Sequence, residues 1–103
     1  MSSDITVIAT FNFKDIESKK KFTEFVANPE KGFAVARAWE GCKLMEVYES
    51  AEDENTLIIW QKWATKENQE SYIKMRKDTG AFVMLREWLA SPPQIVSLNP
   101  TSL

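Results

Sequence analysis

Apolar and polar residues alternate over residues 5–13. Ile5, Val7, Ala9, Phe11 and Phe13 share one parity and Thr6, Thr10 and Asn12 the other, with Ile8 the exception. A period of two marks a half-buried strand. From Asp15 the period lengthens. Phe22, Phe25 and Val26 form an i, i+3, i+4 stripe with Lys20 opposite, which predicts a helix. It stops at Asn28-Pro29, because the residue before proline avoids the α region. Residues 31–38, short and alanine-rich, predict a second helical piece, which Gly41 breaks.

Residues 42–50 predict the second strand, with Cys42, Leu44, Glu46 and Tyr48 on one face and Met45 and Val47 on the other. The acidic turn Asp53-Glu54-Asn55 then leads into residues 56–63, where Leu57, Ile59, Gln61 and Trp63 share one parity and Ile58 and Trp60 the other. These two strands make a hairpin. Thr65 suits an N-cap. In the helix it opens, Tyr72, Met75 and Thr79 fall on one side with Asn68 and Arg76 beside them. Gly80 interrupts, and Phe82, Leu85 and Leu89 start a new stripe flanked by Trp88. Pro92-Pro93 ends it and leaves residues 94–98 as a last short strand.

Strand, helix, strand, strand, helix, strand is the split βαβ order of an α+β, ferredoxin-like domain with an antiparallel sheet. We read residues 1–103 as one such domain, with its core at about 5–98. Helices cover one sheet face. The second and third strands carry apolar residues of both parities, so the other face calls for a partner. A homodimer with its sheets face to face, a dimeric α+β barrel, is the economical arrangement.

Composition narrows the chemistry. The chain has 103 residues, four Trp, one Cys and no His. Without His there is no Ser-His-Asp triad, no Cys-His dyad, no His-ligated zinc and no proximal-His haem. A net charge of −2 gives no support to a nucleic-acid binder. The apolar runs, such as residues 82–85, are too short to span a membrane, and the start lacks a basic and then apolar leader. A lone Cys42 makes no intrachain disulfide, which points to the cytoplasm. No glycine-rich phosphate cradle and no spaced metal-ligand set occurs. Lys19, Lys20 and Lys21 read as a solvated helix face, and the Met residues as core filler.

Several stretches together carry a family resemblance: GCKLMEVYESAEDENT at 41–56, WQKW at 60–63, SYIKMRKDTG at 71–80 and PPQI at 92–95. In this order they resemble the antibiotic biosynthesis monooxygenase domain family of the dimeric α+β barrel superfamily, over residues 5–98. The resemblance implies a homodimer, with a pocket between each sheet and its own helices. It also implies oxygenation of phenols or quinols without a cofactor. Some relatives degrade haem, and others are isomerases or cyclases. The departures are specific. The helix His of the haem-degrading branch is missing, and Gln61 stands where the strand's "E-x-W" ending has an acid.

On this footing Trp63, Tyr72 and Arg76 are the candidate catalytic residues, and Phe11, Asn12, Met75 and Phe82 the candidate substrate-binding ones. Trp63 either orients a substrate oxygen through its indole N–H or simply packs. Tyr72 can donate a hydrogen bond to a phenol or enolate but is a poor base at neutral pH. Arg76 either clamps a phenolate or carboxylate, or pairs with Glu46, Glu49 or a partner's carboxylate. Relatives use an Asn on the first strand, so Asn12 either binds substrate or oxygen, or forms a turn. No metal and no cofactor is expected; the ligand is a small apolar aromatic, with O₂ as co-substrate. Two rivals stay open: a non-catalytic dimer that binds a small molecule or acts as an interaction module, and a cofactor-free isomerase or cyclase.

Overall fold

The structure, a computed structural model, describes residues 4–103. The reading of the chain start falls partly on residues 1–3, outside the described residues. The elements are β1 (Ile5–Asn12), α1 (Ile16–Ala27), α2 (Phe33–Ala38), β2 (Cys42–Glu49), β3 (Thr56–Trp63), α3 (Lys66–Asp78), α4 (Ala81–Trp88) and β4 (Gln94–Leu98). The four strands form one sheet in the order β2-β3-β1-β4, and every pairing is antiparallel. This is the ferredoxin-like topology that the element order calls for.

The helix starts follow from their caps. Asp15 Oδ1 accepts the backbone N–H of Ser18 at 2.7 Å, and Thr65 Oγ1 accepts that of Asn68 at 3.0 Å. The Ser18 side chain and then its backbone N–H, both hydrogen-bonding to it, hold the Asp15 carboxyl below its ordinary pKa. α2 begins two residues later than its composition implies, at Phe33, because Gly32 is drawn tight against α1. A Cβ on Gly32 would lie 2.2 Å from the Val26 carbonyl oxygen. Gly80 has φ 81° and joins α3 to α4 with open space around it.

One sheet face packs on the helices. Val7, Ala9, Ile59 and Trp63 are at most 3% exposed. An aromatic cluster locks α1 to the sheet: Phe22 meets Phe11 and Phe13 at 5.4 and 5.2 Å between ring centroids, and Phe33 at 6.3 Å. The opposite face carries Ile8, Ile58 and Trp60, half-buried, beside exposed Tyr48, Val96 and Leu98. No helix covers it.

Three details depart from the periodicity. A bulge between Cys42 and Leu44 sets Cys42 opposite Trp63 and Leu44 opposite Lys62. The extra residue moves Cys42 off the face of Leu44 and onto the helix side with Met45 and Val47. On α3 the buried residues are Tyr72 and Arg76, with Ile73 and Met75 half-buried against the core, whereas Thr79 is exposed. α4 ends at Trp88, well before Pro92-Pro93. Leu89 turns extended and bridges to Phe13, and the Ala90 N–H donates to the Asn12 carbonyl at 2.8 Å.

Candidate active site

Between the helix-side sheet face and helices α1, α3 and α4 lies a cavity of about 90 Å³. Its wall is apolar, with Phe11, Ile59 and Met45 from the sheet and Phe82 and Leu85 from α4. Four polar side chains reach it: Gln61 from β3, and Gln69, Tyr72 and Arg76 from α3. The strand period and the i, i+3, i+7 helix spacing bring them together. No Asp or Glu lines it.

The polar side chains form two short chains of hydrogen bonds. Trp63 is fully buried, and its Nε1–H donates to Gln61 Oε1 at 3.0 Å. The Trp63 ring lies 5.1 Å from that of Tyr72, tilted by 31°. Arg76 Nε–H donates to the Tyr72 hydroxyl oxygen at 2.8 Å. The Arg76 Nη1 and Nη2 groups donate to the carbonyls of Lys31 and Gly32 at 2.7 and 2.8 Å. Arg76 therefore ties α3 to the loop before α2, and its guanidinium also lies 5.1 Å over the Tyr72 ring.

The pairing of Arg76 with Glu46 or Glu49 does not occur. Glu46 accepts the Tyr48 hydroxyl at 2.7 Å, and Glu49 lies 3.4 Å from Lys19. Two carbonyls and a hydroxyl accept three of the five N–H groups of Arg76 without cancelling its charge. Among the described residues no carboxylate comes within ion-pair distance of it, and Arg76 is only 7% exposed. A buried cation with no counter-ion attracts an anion strongly, because the surroundings screen little.

Burial pushes the Tyr72 phenol above its ordinary pKa, with Arg76 pulling the other way. Burial wins, so Tyr72 is a neutral hydrogen-bond donor at physiological pH. Burial likewise raises the Cys42 thiol, which leaves it a weak nucleophile.

Of the seven sequence candidates, Phe11, Tyr72, Arg76 and Phe82 share the cavity. Trp63 stands behind it and touches it through Gln61. Met75 lines an outer cleft of about 320 Å³ on the far side of Arg76, with Glu30, Lys31 and Thr79. Asn12 lies on the opposite sheet face, where its Oδ1 accepts the Thr56 hydroxyl at 2.7 Å. Its side chain is directed there by strand parity, since Phe11 takes the cavity side. Gln61, which the sequence marks only as a missing acid, joins the cavity, as do Gln69 and Ile73, which it does not mark at all. The parity Gln61 shares with Trp63 is the signal that finds it.

Among the described residues no three His, Cys, Asp or Glu side chains gather as a metal would need, and no helix is long and apolar enough to cross a membrane. No family model and no curated protein matches the sequence. Solved structures do match its fold. A conserved protein from Methanosarcina mazei superposes with TM-score 0.83 at 19% identity, over 95% of this chain and 93% of that one. A protein from Deinococcus radiodurans, provisionally named an antibiotic biosynthesis monooxygenase, gives 0.80 at 14% identity over 96% and 94%. Another so named, from Nitrosomonas europaea, gives 0.75 at 17% identity over 99% and 94%. The chain has the α+β ferredoxin-like fold of these proteins.

Proposed function

We propose that this chain is a small oxygenase of the antibiotic biosynthesis monooxygenase kind, acting on an electron-rich phenol or quinol without a bound cofactor. The carrying observation is Arg76: a buried, unpaired cation hydrogen-bonded to Tyr72 at the edge of an apolar cavity. Such a site stabilises a phenolate or enolate. The ionised substrate passes one electron to O₂, and the resulting radical and superoxide combine at a ring carbon that carries hydrogen. The hydroperoxide takes up the proton released on ionisation. Its O–O bond breaks as the ring C–H proton leaves, giving a carbonyl and one water. All four electrons that reduce O₂ come from the substrate.

A cavity of about 90 Å³ is smaller than the roughly 150 Å³ of an engineered core cavity that takes benzene. A ring therefore enters only as the site widens. In this reading the short helix α4, which supplies Phe82 and Leu85 and follows Gly80, is the element that moves. The size also favours a second reading, a binder of a small anion with no turnover. An isomerase or cyclase would use the same groups without O₂.

O₂ uptake with a panel of hydroquinones and anthrones tests the proposal. Uptake above buffer, one O₂ per quinone formed, is expected, and Tyr72→Phe should lower it. No uptake with any member overturns the oxygenase. Two copies packing through the uncovered sheet faces complete the proposed assembly, in a cytoplasmic setting that suits a lone thiol. Sedimentation should give twice the 11.9 kDa chain mass.

A further inference from the structure

We propose that Gln61 is the specificity-determining residue of the cavity: a fixed hydrogen-bond donor that admits a ligand by an ionised oxygen and discriminates against its neutral hydroxyl form. The inference rests on the cavity's being the binding site, as argued above, including its widening at α4.

The indole N–H of Trp63 can only donate, so the group 3.0 Å from it must be the amide oxygen of Gln61. This settles the orientation of the amide on chemical grounds. Trp63 is itself fully buried and does not line the cavity, so it holds that oxygen away from it. The NH₂ end is what Gln61 has left for the cavity, and it makes no hydrogen bond to the described residues.

Its neighbours act in the same sense. The Tyr72 hydroxyl oxygen already accepts from Arg76, so its own hydrogen is free to be given. Arg76 carries N–H groups and the positive charge. Gln69, half-buried, is the one lining side chain whose amide is free to turn an acceptor inward. Glu30 and Lys31 face Arg76 from the outer cleft, not from the cavity. A phenolate oxygen at Gln61 meets the donors of Gln61, Tyr72 and Arg76, whereas a phenol hydroxyl there needs an acceptor for its own hydrogen, which of the lining amides only a turned Gln69 offers. An acid at position 61 would instead present a charged acceptor. Trp63 is thus a positioning residue that acts through Gln61.

The test uses 4-nitrophenol, whose visible band reports its ionisation, with 4-nitroanisole as the partner that cannot ionise. Bound to the wild type, 4-nitrophenol should ionise at lower pH than in water, with the phenolate held at least about tenfold more tightly than the phenol, one pKa unit. Gln61→Glu keeps an acceptor for Trp63 but should abolish or reverse that shift. Gln61→Leu should reduce it, and so should Trp63→Phe, which leaves Gln61 present with its amide free to turn. If Gln61→Glu fails to fold, the other two variants carry the test. Unshifted ionisation of the bound chromophore overturns the inference, as does an equal shift in the wild type and all variants. Absence of 4-nitrophenolate binding overturns both it and the site. A shift without O₂ uptake on any quinol upholds the inference and overturns only the oxygenase.

Discussion

On the helix side of the sheet, Val7, Ile59 and Trp63 are sealed under α1, α3 and α4, and each polar group among them has an assigned partner or faces the cavity. On the other side, among the described residues, no helix lies over Ile8, Ile58 and Trp60 and the Trp60 Nε1–H has no partner, while Val96 and Leu98 are about half exposed. The same two strands, β1 and β3, build both faces through their alternate residues. One face is finished by its own chain, and the other leaves a band of large apolar side chains uncovered between polar ones such as Thr6, Lys62 and Thr10. The contrast matches the division of work proposed above: chemistry inside, association outside.

The largest expected effect breaks the inner face. Trp63→Ala should cost about 3–5 kcal/mol, since it empties a fully buried site and orphans Gln61 Oε1. Urea denaturation checks this; a loss comparable to that of an exposed residue would mean that the face is not the core. Arg76→Met should follow at about 2–3 kcal/mol. It leaves the Lys31 and Gly32 carbonyls and the Tyr72 hydroxyl without a donor, although the apolar volume is kept.

The outer face should respond in assembly rather than in folding. Val96→Asp with Leu98→Asp should weaken the proposed dimer by at least about a hundredfold, because symmetry buries each new charge in both copies. Sedimentation should then give 11.9 kDa with the circular dichroism of the wild type. A wild type that already sediments at that mass would leave the apolar outer face without its occupant.

The two tyrosines sharpen the comparison with the smallest effect, since one stands on each face. Both have raised pKa values, for different reasons. Burial is the main cause for Tyr72, and the carboxylate of Glu46 accepting the hydroxyl for exposed Tyr48. For an acid whose folded pKa is raised, the stabilisation is complete below its unfolded value, here 10.0, and is lost as pH rises through the folded one. Tyr72→Phe should therefore flatten the fall in urea midpoint above about pH 10. In an ultraviolet titration, Glu46→Gln should return Tyr48 towards its ordinary range and leave Tyr72 unchanged. Movement of both together would mean that the faces are not independent.

Much of this was legible in the residues. The period-two runs of β1 and β3 locate both strands and their buried parity, because a sheet with one covered face enforces alternation. Gly80, Asn28-Pro29 and Pro92-Pro93 mark breaks by backbone chemistry alone. The site was only half legible. Tyr72 and Arg76 announce themselves as polar groups on an inward helical stripe. That Arg76 is held by two main-chain carbonyls could not be read, since a carbonyl has no letter in the sequence and the loop that presents it is some 45 residues away. Gln61 looked like a missing acid until Trp63 fixed its orientation. Asn12 carries the parity opposite to Phe11 in the sequence itself, and only the resemblance made it a candidate; one step of parity in a strand is the whole thickness of the sheet.

The bulge at the start of β2 has a consequence for comparing chains of this fold. Residue 43 is the spare one, for the pairing advances from Cys42 to Leu44 while β3 moves back by only one, from Trp63 to Lys62. A chain one residue shorter at this point would keep Met45 and Val47 facing the helices and Leu44 and Tyr48 facing away. Length here can vary by one without rephasing the strand, so an ungapped alignment across this point can slip by one and swap the faces upstream of it. Residues on the two sides of Lys43 should be matched separately, each by its strand partner on β3.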